Sequence, residues 1–110
     1  GCMGDGHHVW AAAEWILMLY HCFLREEGDT LLLCPGVPER WLEAGEALRF
    51  GPCLTAFGAA TVHLEPAGGG RLALRVEGRW HAAAPLLRSA LPGYREAETD
   101  GSVMLLEPEA

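Results

Sequence analysis

Asp5, His7 and His8, held in Gly4-Asp5-Gly6-His7-His8, are the first residues here whose types and spacing could do chemistry. The glycines let backbone approach a ligand closely, and a carboxylate beside two imidazoles can fix polar groups. Asp5 has a competing structural role, because it precedes an expected helix and can accept hydrogen bonds from that helix's free N–H groups. Trp41, Trp80 and His81 form a second set. Indole faces stack on sugar rings while polar neighbours fix hydroxyls, and Trp80-His81 follows Gly78-Arg79 at an expected strand end, where binding residues gather. For each tryptophan the competing role is packing. Four cysteines, Cys2, Cys22, Cys34 and Cys53, contain no C-x-x-C pair. A zinc site from Cys2, His7, His8 and a further cysteine matches no known ligand spacing, so no metal and no cofactor is expected. Cys22 and Cys34 fall in apolar runs and are expected as buried thiols.

The elements that must position these residues begin with an apolar helix. From Val9 to Leu24 the only charge is Glu14, and the other strongly polar side chain is His21. Glu14, His21 and Arg25 would form one narrow stripe, with Trp10, Trp15, Leu19, Tyr20 and Phe23 among the residues covering the rest. A helix apolar nearly all round belongs in a large core or under a second domain. It is shorter than the about 20 residues of a membrane span, and it does not read as a signal peptide, having no basic start and no small-residue cleavage site. Gly28 is expected to cap it.

The remainder reads as strands. Thr30 to Cys34 is a short apolar strand, and Pro35 to Leu42 a turn with one helical turn. In the runs 59–65 and 71–77, Ala60, Val62 and Leu64 share a face, as do Leu72, Leu74 and Val76. A five-residue connection over 66–70 would set Leu64 beside Leu72, Val62 beside Leu74 and Thr61 opposite Arg75. Asp100-Gly101 signals a second hairpin, and 47–54 and 86–91 supply further strands. The expected fold is mainly β with one N-terminal α-helix: a small antiparallel β-sandwich with the apolar helix packed against it. Residues 1–28 are the loop and helix, and 29–110 the sandwich.

Composition narrows the partners. The chain has 110 residues, half of them apolar, and a formal net charge of −7. One core is expected at this length. All eight basic residues are arginines, scattered singly along the sequence, so neither nucleic acid nor a membrane is an expected partner.

The residues then carry a resemblance. Gly1-Cys2-Met3-Gly4-Asp5-Gly6-His7-His8, Trp10 to Trp15, Arg25 to Asp29, Pro35-Gly36-Val37-Pro38, Trp41-Leu42 and Thr55-Ala56-Phe57-Gly58 resemble the C-terminal end of bacterial (α/α)6-barrel glycosidases. The likeness is to glucoamylase-like and debranching-like members. It implies that the apolar helix is the last barrel helix, that a catalytic barrel lies upstream, and that a β-sandwich tail closes the chain. It also implies that Asp5, His7 and His8 sit near the mouth of a parent active site. Glycoside hydrolysis needs two carboxylates, about 5 Å apart for retention or about 6.5–9.5 Å for inversion, and this chain offers only Asp5 as a contributor. The expectation is a cytoplasmic, non-catalytic accessory domain that braces the barrel, with carbohydrate binding through Trp41, Trp80 and His81 as the alternative. Its expected partners are the upstream barrel or a second copy, through Trp15, Leu19 and Phe23, with an oligosaccharide as a further candidate.

Overall fold

The computed structural model describes residues 19–100 and 103–109. The fold is mainly β: the described residues form eight strands in two sheets, a helical segment over residues 19–23 and a short helix, Glu39–Glu43. The strands are β1 (Leu24–Glu27), β2 (Thr30–Leu33), β3 (Leu48–Thr55), β4 (Gly58–Gly68), β5 (Arg71–Trp80), β6 (Leu86–Ser89), β7 (Tyr94–Asp100) and β8 (Val103–Pro108). The larger sheet is antiparallel in the order β3-β4-β5-β8-β7, and the smaller runs β1-β2-β6. In the smaller sheet β2 and β6 are parallel, a pairing that requires a long crossover. The three strands β3, β4 and β5 supply it.

The helix ends earlier than its apolar run suggests. Leu24 already pairs with Leu33, and Glu27 pairs with Thr30 across a two-residue turn. Gly28, at φ 58, therefore serves a β-hairpin and not a helix cap. The turn wants a positive φ at its first central residue, where glycine carries no Cβ penalty. Arg25 accordingly lies on a strand, so the expected polar stripe of the helix stops at the exposed His21.

The central hairpin keeps both predicted faces but slides by two residues. Leu64 pairs with Leu74, Val62 with Val76 and Thr61 with Glu77, where the sequence suggested Leu72, Leu74 and Arg75. Pro66 and Gly68 are drawn into the ladder, separated by a bulge, and only Gly69-Gly70 turn, at φ 64 and 78. Two consecutive positive φ values fit the twist of a tight hairpin better than a five-residue loop does. A slip of two residues preserves the face of every side chain, so the apolar pattern could not distinguish the registers. β7 and β8 pair as the second hairpin, but not around Asp100-Gly101 as its two-residue turn: Asp100 is drawn into the ladder opposite Val103 and Thr99 stands opposite Met104; residues 101–102 lie outside the described residues.

One core joins both sheets and the helical segment. Leu24, Leu31 and Leu33 from the small sheet meet Val62, Leu64, Leu74, Met104 and Leu106 from the large one, with Phe23 buried among them. Phe23 stacks on Phe50 at 5.1 Å with 4° between planes and on Trp41 at 6.1 Å with 27°. Glu26 binds the same corner from outside: its Oε1 accepts from the Ala56 N–H at 2.8 Å and from the Tyr20 hydroxyl at 3.1 Å. Phe23 is therefore committed to its own chain and not available to the helix–helix contact expected of it.

Candidate functional site

Asp5, His7, His8 and Cys2 lie outside the described residues. The other sequence candidates fall at two separate places. Trp41 sits half-buried on the short helix, its ring against Phe23. Trp80 ends β5 on the core side of the sheet, level with Gly58. Phe50, which shares Phe23 with Trp41, is level with Val62, four residues away along β4, or roughly 14 Å. Trp41 and Trp80 thus belong to different ends of the sheet.

Trp80 does not project its indole outward. A Cβ on Gly78 would lie 2.0 Å from the Trp80 ring, so the indole is folded flat over the Gly78 backbone. Trp80 also lines, with Pro85, Leu86, Leu87 and Met104, a recess beside β6. Gly58 makes this close packing possible, because at φ 140 it brings its backbone against the Arg79 carbonyl, where a Cβ would stand 2.1 Å away. His81 is exposed, and its backbone N–H donates to the Phe57 carbonyl at 2.9 Å. Only the His81 side chain is freely presented.

The thiols are structural. Cys34 is fully buried, and burial pushes its thiol up to about 12. Cys53 is likewise raised by burial and donates to the Ala60 carbonyl at 3.5 Å. Cys22, Cys34 and Cys53 are free, and among the described residues no group of His, Cys, Asp and Glu is arranged to hold a metal.

A site that the sequence did not announce lies on the outer face of β3–β5. The arginines scattered along the chain meet there: Arg49 on β3 faces His63 on β4, which faces Arg75 on β5. Arg71 and Arg79 share that face, as do Glu65 and Glu77, leaving an excess of two positive charges on an otherwise acidic protein. Glu77 is already engaged. Arg75 Nη1 donates to Glu77 Oε1, and His63 Nε2 stands 3.0 Å from the same oxygen. The Arg75 hydrogen bond leads in holding the Glu77 carboxyl below its ordinary range. His63 Nε2 is closed to solvent and lacks an aligned hydrogen-bond partner.

Beside this cluster runs a groove of about 570 Å³, lined by Arg49, Pro52, Ala59, Thr61, Glu77, Gly78 and Arg79. Its floor is low at Ala59, whose side chain is a single methyl on this face. Its β3 wall bends at a bulge between Phe50 and Cys53 that holds Pro52, on an edge strand where proline costs no ladder hydrogen bond. Strand alternation in the sequence could place Thr61, Glu77 and Arg79 on one face. It could not bring Arg49 beside them, since that depends on β3 pairing with β4.

No known protein family, curated protein or solved structure matches the chain. Among the described residues no helix is long and apolar enough to cross a membrane.

Proposed function

We propose that the chain is a non-catalytic accessory domain of a bacterial glycoside-hydrolase-like protein, bracing an upstream (α/α)6 barrel through its apolar helix. The observation that carries this reading is the use of the aromatic residues. Trp41, Phe23, Phe50 and Tyr20 are spent joining the helical segment to the sandwich, and Trp80 is folded over Gly78. A surface that binds sugars by stacking needs indole faces open to solvent, whereas Trp41 and Trp80 are half-buried against their own chain. The resemblance of the N-terminal segment supplies the barrel and a sugar-contact role for Asp5, His7 and His8. A second copy of the chain is the alternative cover for the apolar helix. Carbohydrate binding by the sandwich has one feature in its favour, the exposed His81 beside Trp80.

Titrating the chain with gluco-oligosaccharides while following the indole N–H signals tests the reading. Flat spectra at millimolar ligand are expected. Saturable shifts at Trp41 or Trp80 would replace the brace with a sugar-binding module.

A further inference from the structure

We propose that the groove on the outer face of β3–β5 binds an elongated ligand bearing two oxyanion groups, carboxylate or phosphate, one held at Arg49 and one at Arg79. Both side chains line the groove, and neither forms an ion pair among the described residues. The one carboxylate inside it, Glu77, has its charge met by Arg75. What remains unmatched is cationic. A guanidinium fork holds carboxylate and phosphate oxygens in pairs, which makes arginine suited to such groups.

The sheet register sets the shape of the ligand. Arg49 is level with His63 and Arg79 with Ala59, on opposite sides of β4 and four residues apart along it, or roughly 14 Å along the strand. Backbone positions that far apart suit two oxyanions separated by a sugar-sized spacer, each with its own guanidinium. Thr61, on β4 between the two arginines' levels, offers a hydroxyl at the midpoint. The small Ala59 side chain leaves space beneath the spacer. The volume of about 570 Å³ falls within the usual range of small-molecule sites.

Two probes distinguish the oxyanion sources: digalacturonate for carboxylate and fructose 1,6-bisphosphate for phosphate. With the 110-residue chain labelled for NMR, saturable shifts are expected at the Thr61 and Gly78 amides and at the Arg49 and Arg79 Nε–H groups. The tighter of the two probes identifies the source. Arg49→Ala and Arg79→Ala should each weaken binding by about tenfold or more, through loss of charge-assisted hydrogen bonds. Arg71→Ala removes the same charge from the same face outside the groove and should change affinity less than about threefold. Three results would overturn the proposal: no saturable shift with either probe, an Arg71→Ala loss equal to that of Arg49→Ala, or equal binding of neutral maltotriose at these residues. All three readouts are separate from the indole signals, so the brace and the groove stand or fall independently.

Discussion

At the scale of single residues, two buried or half-buried groups make the protein sensitive to alkali. Burial raises Cys34 from 9.0 to about 12. Burial, then the hydrogen bond to Glu26, raises Tyr20 from 10.0 to about 12. A group whose folded pKa is raised contributes stability that is full below its unfolded pKa and lost as pH climbs through the folded value. The midpoint of urea unfolding should therefore hold steady up to about pH 9 and fall between there and about pH 12. Cys34→Ala should remove part of that fall. Glu77 works in the opposite sense: its lowered pKa gives stability above its ordinary 4.5 that disappears as pH drops further. Glu77→Gln should flatten this acid limb, and an unchanged limb would mean that the contacts with Arg75 and His63 do not act in solution. Gly58 is the most constrained backbone position. Gly58→Ala combines φ 140 with a Cβ 2.1 Å from the Arg79 carbonyl oxygen, and should cost on the order of 3 kcal/mol by denaturant titration.

At the scale of elements, the stacked rings join parts that backbone hydrogen bonds do not. Phe23 belongs to the helical segment, Trp41 to the short helix and Phe50 to β3. Phe23→Ala should lower stability by about 3–5 kcal/mol, a large share of the roughly 5–15 kcal/mol typical of a domain. A loss below about 1 kcal/mol would show that the stack is not the joint. Glu26→Ala frees the Ala56 N–H and the Tyr20 hydroxyl, both exposed enough for water to replace the bonds, and should cost only about 1 kcal/mol. The edges are guarded by different means. The large sheet ends in β3, with its Pro52 bulge, and in β7, with Glu96, Glu98 and Asp100; bulges, proline and charge all discourage pairing with further strands.

At the scale of the whole molecule, the bracing role makes a claim about assembly. The apolar helix expected from the sequence would, with no barrel beside it, need other cover. In isolation the chain should sediment as a dimer at high concentration, and Leu19→Glu should shift it towards monomer. A monomer at every concentration would remove the second copy as a partner. Phe23, buried in its own core, takes no part in that contact. Much of the architecture was legible beforehand. The alternations at 59–65 and 71–77 and the apolar run at 30–34 each mark elements that form, because side-chain period is a local property.

The sequence by itself determined the mainly-β class, the faces of the central hairpin and the burial of Cys34, since each follows from short-range pattern and transfer of apolar groups from water. Only the tertiary structure decided the rest. Leu24–Glu27 leaves the helix because pairing with β2 satisfies its backbone and places Leu24 in the core. The two-residue slip of the hairpin depends on Gly69-Gly70 turning tightly, which the apolar pattern does not register. The arginine-lined groove exists because β3 and β5 flank β4, bringing Arg49 and Arg79 to one face across thirty residues of chain. Pairing partners are chosen by the energy of the assembled sheets, and no local pattern contains that choice.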